Sequence, residues 1–234
     1  MIVSSVRFTR RKRLACSVAF VWLSLAAPLS DAANSNEPAW RGEVRALAQK
    51  HFKNPAWGYS HSTRDYELAR QLAAADHVPL DDDVLFAASY LHDIAMFQPW
   101  EVQSKDHSDV GATAIDNILT KSNFPIEKID AVRNAIRTHM YYRKPVGPEA
   151  TYLHDADALD WLGAIGVARV IALTDSNGGS PNVPDEVALI EHNLKDVPPH
   201  VVSPAGRLSI GARSAKVVEY LKSLRSETDD FHSL

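Results

Sequence analysis

Four histidines and two aspartates, His61, His92, Asp93, His107, His139 and Asp157, fall at or near the ends of helix-like segments in this 234-residue chain. Imidazole nitrogens and carboxylate oxygens gathered in threes or fours suit a divalent ion such as Mn, Ni, Co, Fe, Zn or Mg. The sharpest instance is AASYLHDIAMF, residues 87–97, in which His92-Asp93 interrupts an otherwise apolar stretch. Burying that pair without partners would cost several kcal/mol. It must therefore pair with polar groups of the core or hold something charged. The dipeptide alone does not choose. A shuffled chain with 10 His and 19 Asp would hold about one His-Asp pair by chance, and this chain has two, the other being His154-Asp155.

The segments that must position these residues read as helices throughout, with no alternating strand of useful length and no tandem repeat. Pro38 opens a helix to about Phe52, and a second runs from about His61 to Asp76 with Tyr66, Ala69 and Ala73 at helical spacing. Asp81 can cap a third running to about Met96, apolar nearly all round and therefore expected at the centre. Further helices are expected over about 107–121, from Asn123-Pro125 to about Met140, and over about 153–173, which puts Asp157 in a first turn. The polar DSNGGSPNVP segment is a solvated connection or a lid. Short and long helices near 185–194 and 204–226 finish the chain. Polar residues at the ends of such helices can converge on one mouth of a bundle, reaching both core and solvent. Neighbours such as His92 and Asp93, about 100° apart around a helix, reach one ion only near the helix end.

The first forty residues stand apart. Arg7, Arg10, Arg11, Lys12 and Arg13 precede an uncharged run, Leu14 to Ala27, and Ser30-Asp31-Ala32 offers a cleavage site. This is the pattern of an export signal over residues 1–32, followed by a linker over 33–39. The run is short for a membrane span, which needs about 20 residues. Thr9 to Leu14 loosely resembles a twin-arginine signal, although the general secretory route is expected first. The expected location is periplasmic or secreted. Those 32 residues hold five of the 25 Lys/Arg and one of the 29 acids, so the remainder carries a net charge of −8. That argues against nucleic acid held on a basic surface. The only cysteine, Cys16, lies in the signal, which excludes disulfides, thiolate catalysis and Cys-ligated zinc in the mature chain.

The order His61 … His92-Asp93 … Asp157 resembles the H…HD…D signature of the HD-domain metal-dependent phosphohydrolase superfamily. SHSTRDYELA, HSDVGATAI, AIRTHMYYRKP and the C-terminal VSPAGRLSIGARSAKVVEYLKSLRSE are similar to corresponding family segments. DADALDWLGAIGVARV is the most specific, resembling the DADRLDALGAIGIAR segment of small bacterial HD hydrolases. The resemblance covers roughly residues 40–227, leaving 228–234 as a tail, and implies an all-α, single-domain HD-type helical bundle.

It also implies His61, His92, Asp93 and Asp157 as metal ligands. Asp155 is a rival to Asp157, and Asp160 is expected to orient a neighbour. His154-Asp155 is then a coincidence of composition. An ion held in this way lowers the pKa of a bound water, which can attack phosphorus as hydroxide. Arg64, one turn after His61, is the first choice for neutralising phosphate charge, with Lys105, Arg143 and Lys144 weaker candidates. His107 and His139 either serve substrate binding and proton transfer beside a single ion, the arrangement that DADALD favours, or complete a second metal site. The family implication is hydrolysis of a phosphate ester or anhydride in a nucleotide or similar small molecule. The alternatives are an exported metal-binding module that senses a ligand without turnover, and oxygenase chemistry as in a di-iron branch, which needs His107 and His139 as ligands. The sequence departs from the family at Ala158, where small relatives carry a basic residue, and at Met96, where one nucleotidase branch carries a catalytic Glu. Trp57, Trp100 and Trp161 are expected as core or loop anchors rather than as a base-stacking platform.

Overall fold

The computed structural model describes residues 37–234, and the expected export signal lies outside them. The regular elements among the described residues are all helical: α1 Ala39–His51, α2 Tyr59–Ala75, α3 Asp82–Leu91, α4 His107–Lys121, α5 Ile129–Arg137, α6 Pro148–Asp160, α7 Gly163–Ile171, α8 Val183–Asp196 and α9 Pro204–Glu227. Short 3₁₀ turns follow α3 and precede α5 and α9.

The core forms around α3, as its apolar circumference predicts. Every residue from Val84 to Leu91 is buried, and α3 packs against α1, α2, α5 and α6. Helix α2 packs along α6, which brings the His61 helix alongside the Asp157 helix. Helices α7, α8 and α9 build a smaller apolar cluster from Val167, Val170, Val187, Ile190, Val217 and Leu221. The polar 174–182 connection is tied to itself: Asp175 accepts from the backbone N–H groups of Asn177 and Gly179, and Asn182 and Asp185 form a reciprocal cap on α8.

Three expected helices end or begin elsewhere, and each difference bears on the site. Helix α3 stops at Leu91 rather than Met96, and residues 94–96 tighten into a 3₁₀ turn. His92 and Asp93 therefore lie beyond the last α-helical residue, where successive side chains are less constrained to diverge. The stretch 153–173 is two helices, not one. Gly147 and Pro148 start α6 five residues early, so Asp157 lies in its last turn instead of a first turn. The break follows at Trp161-Leu162, where Leu162 is extended and Gly163 takes φ +73°, a conformation that strains residues with a Cβ. Gly166 holds α7 against this corner so closely that a Cβ would meet the Trp161 carbonyl carbon at 2.3 Å. The predicted helix to Met140 is α5, which ends at Arg137 and leaves His139 outside it.

At the solvent side of α3, Asp81 caps the helix by accepting from the N–H groups of Asp83 and Val84. Arg41 of α1 pairs with Asp82 and Asp83 at 2.7 Å, and Lys128 pairs with Asp81 and Asp83 at 2.9 Å. Burial raises the pKa of the Asp83 carboxyl, but Lys128 and Arg41 outweigh it and hold the group below the ordinary carboxylate range. A depressed folded pKa stabilises above the unfolded value and is lost as pH falls through the folded one. Asp83→Asn should accordingly lower the thermal midpoint at pH 7 by about 2–4 °C, the shift that about 1 kcal/mol produces in a domain of this size. The difference should vanish in strongly acid solution, and calorimetry across pH checks it.

Candidate metal centre

The site is assembled from the ends of separate elements. His61 comes from the first turn of α2, His92 and Asp93 from the end of α3, Asp157 from the last turn of α6, His107 from the first residue of α4, and His139 from beyond α5. All but His107 are nearly or fully buried.

Three imidazoles have their orientation set from behind. The His61 Nδ1 lies 2.9 Å from an Asp160 carboxylate oxygen, the His92 Nδ1 2.8 Å from the Ser89 carbonyl, and the His139 Nδ1 2.6 Å from the Ile136 carbonyl. A carbonyl or carboxylate can only accept, so each Nδ1 carries a proton and each ring turns its Nε2 inward, the atom that a metal takes when it displaces the second proton. The inward atoms crowd one another. The His61 Nε2 lies 3.2 Å from the His92 Nε2, 3.3 Å from Asp157 Oδ1 and 3.1 Å from Asp65 Oδ2. Asp93 Oδ2 lies 3.2 Å from the His92 Nε2 and 3.6 Å from the His61 Nε2. Its other oxygen, Oδ1, faces the remaining pair, 3.4 Å from the His107 Nε2 and 3.6 Å from the His139 Nε2, which are themselves 3.2 Å apart. Donor atoms about 2.0–2.2 Å from one shared ion stand roughly 3–3.6 Å apart. These residues thus fit a divalent metal, as a buried set of acceptors whose spacing matches its coordination edges.

The electrostatics point the same way. Burial opposes charge on Asp93, yet His92, His107 and His139 together hold its carboxyl well below the ordinary range. Burial likewise works against a charged His92, but Asp93, Asp65 and Asp157 push it up to about 10. Asp157 is lowered against its burial, chiefly by His61. Burial pushes Asp65 up to about 7, with Asp160 and Asp157 adding to the effect and His61 and His92 opposing it. Carboxylates and imidazoles packed this closely require cations among them, protons or a metal.

Two groupings, a quartet and a triad, emerge from the donor atoms. His61, Asp65, His92 and Asp157 offer atoms all within 4.8 Å of one another, as do His92, Asp93 and His139. Asp155 is absent from both. It accepts from the N–H groups of Val202 and Ser203 and pairs with His154, so the second His-Asp dipeptide anchors the chain ahead of α9. Arg64 is drawn to Asp160 through Nε and Nη2, with its side chain 32% exposed. Arg143 is spent on Asp106, Asp109 and the Arg137 carbonyl.

Two further residues join the site without standing out in the chain. Asp65 follows His61 by one helical turn, and that spacing alone puts both on one face. Arg169 is the lone cation in the apolar GAIGVARVIAL run. Its fully buried guanidinium donates to the Ala56 carbonyl, approaches Asp160 at 3.0 Å, lies 3.3 Å from the His61 Nε2 and stacks 3.8 Å from the Trp161 ring centroid. Trp161 is thereby a structural platform on the face that Arg169 covers, while Trp57 and Trp100 are half-buried.

Residues 58–162 match the HD domain family. Among solved structures the chain is similar to an HD superfamily hydrolase from an uncultured Thermotogales bacterium, at 26% identity and TM-score 0.56, covering 80% of this chain and 90% of that one. It is also similar to YpgQ of Bacillus subtilis in complex with ADP, at 20% identity and TM-score 0.60, covering 80% and 97%. A Lactobacillus plantarum protein shares 19% identity with TM-score 0.63 over 82% and 97%. No curated protein matches.

Proposed function

We propose, from the match of residues 58–162 to the HD domain family, that the protein is a metal-dependent phosphohydrolase acting on a phosphate ester or anhydride of a nucleotide or similar small molecule. The observation that carries the proposal is the inward-facing set of Nε2 atoms and carboxylate oxygens, three of its rings held in that orientation by Asp160, Ser89 and Ile136. His61, His92, Asp93 and Asp157 would hold the ion. A divalent cation there supplies an activated water and a Lewis acid for phosphoryl oxygens. The similar YpgQ structure is a complex with ADP, which supports a nucleotide as substrate class.

The remaining roles fall to the chain's own groups. Asp160 keeps the proton on the His61 Nδ1 and anchors Arg64, whose partly exposed guanidinium contributes positive charge toward a phosphate at the mouth of the site. His107 is the imidazole with access to solvent, its side chain 19% exposed, and suits proton transfer at Nε2. The same two nitrogens of His107 and His139, grouped on the free oxygen of Asp93, also support a second ion position, with Asp93 shared between the two. The export signal expected over residues 1–32 assigns this activity to the periplasm or beyond.

Metal analysis of the purified mature protein should find one divalent ion per chain, or two if His107 and His139 ligate. A screen of generic phosphate esters and nucleotides with Mn, Co, Ni, Mg and Zn should then show turnover. Bound metal with no turnover on any of them would leave a ligand-binding module. A folded protein that takes up no metal would defeat the site altogether.

A further inference from the structure

Asp65 is a fully buried carboxylate with neither oxygen hydrogen-bonded. Buried carboxylates of this kind normally accept from N–H or O–H groups, because desolvating the charge without compensation costs several kcal/mol. Asp65 sits one turn beyond His61 on α2, and the only Lys, Arg or His side-chain nitrogens within 4.0 Å of it among the described residues are the His61 Nε2 at 3.1 Å and the His92 Nε2 at 3.6 Å. No lysine or arginine among those residues reaches it. Arg169, the nearest buried cation to His61, is directed at Asp160 and the Ala56 carbonyl instead.

Both neighbouring imidazoles commit their Nδ1 protons elsewhere, His61 to Asp160 and His92 to the Ser89 carbonyl. Their Nε2 atoms therefore face the Asp65 carboxylate at contact distance, and a cation, a proton in the empty site or a metal in the loaded one, must lie between nitrogen and oxygen. The Asp65 oxygen also belongs to the group in which His61, His92 and Asp157 donor atoms all lie within 4.8 Å of one another. An unpartnered carboxylate, inward-facing Nε2 atoms and coordination-length spacing are all accounted for by one shared ion.

We propose that Asp65 is a third carboxylate donor at this centre, ligating the same ion as His61, His92 and Asp157. The proposal rests on the metal-site reading above and deepens it. It makes Asp65 a full member of the first ion position beside His61, His92 and Asp157, with Asp93 bridging from that position through Oδ2 to the group of His107 and His139 through Oδ1. Additional carboxylate character favours harder ions such as Mn over soft ones.

The test compares chelator-stripped wild type with Asp65→Asn, and with Asp65→Leu as a second variant of similar bulk. Mn and Co affinities are measured by competition with a chelator, the Co absorption spectrum reports coordination, and thermal midpoints are taken without metal. Both variants should lose at least about tenfold in affinity for one ion, the scale on which perturbing even a ligand's support acts. The Co spectrum should change, and the metal-free midpoint should stay level or rise, because an uncompensated buried charge has been removed. Wild-type affinity and spectrum in either folded variant would overturn the proposal, and so would a lower metal-free midpoint or failure of both variants to fold, since each assigns Asp65 a purely structural role. If wild type itself binds no metal, it is the site reading that fails, and the two failures are distinct.

Discussion

Asp93→Ala is expected to abolish metal retention and phosphohydrolase turnover together, with kcat/KM falling at least about 1000-fold. The size follows from what the residue joins. One carboxylate oxygen faces the His61 and His92 nitrogens, and the other faces those of His107 and His139. Removing it withdraws an anion from both groups at once, and a Lewis acid at phosphorus is worth several kcal/mol, each ~1.36 kcal/mol being a factor of ten. The fold should survive, because Asp93 lies outside α3 and the apolar core from Val84 to Leu91 is untouched. Metal analysis, circular dichroism and steady-state kinetics on one preparation check all three expectations. Activity that persists without Asp93 would locate the chemistry elsewhere.

Arg169→Ala should produce the largest loss of stability, about 3 kcal/mol, the lower end of the range for breaking a buried ion pair. The lower end applies because Asp160 keeps Arg64 and His61 when Arg169 is gone. The Ala56 carbonyl would lose its donor, and the face of Trp161 would lose the guanidinium stacked on it. Arg169→Lys should recover little, since a single ammonium cannot reach the Ala56 carbonyl and Asp160 while lying flat on an indole. Denaturant unfolding of both variants measures this. The substitution also has a functional signature: Arg169 holds the same Asp160 oxygen that fixes the His61 ring, so a carboxylate less firmly placed should weaken metal affinity along with stability. A variant of full stability and affinity would show that the buried guanidinium contributes nothing.

Much of the helical framework was legible from local pattern. Helix α4 occupies the expected 107–121, and Asp81 caps α3 as anticipated because Ser, Thr, Asp and Asn side chains at such positions satisfy the free N–H groups of a first turn. The buried ring of α3 followed from its uninterrupted apolar circumference. The breaks were less legible. Apolar periodicity runs straight through DALDWLGAIGVA, so nothing local separates α6 from α7 until Gly163 adopts a positive φ and Gly166 admits the Trp161 carbonyl. The same applies at Leu91, where a helix gives way to a 3₁₀ turn without proline or glycine to mark it.

At the site, the chain's own order establishes which chemical groups are present and in what succession: His61, then His92-Asp93, then Asp157, with Asp160 one turn on to orient a neighbour. Packing selects which of them meet. It separates Asp155 from the cluster by turning it toward the backbone at Val202 and Ser203, and it draws Arg64 onto Asp160. It also brings in Asp65 and Arg169, which local pattern leaves unremarked. The reason is physical. A residue's type and helical phase are local properties, whereas convergence of atoms to within about 3 Å, the spacing a shared ion demands, depends on the packing of α2 against α6 and α3 across separations of tens of residues.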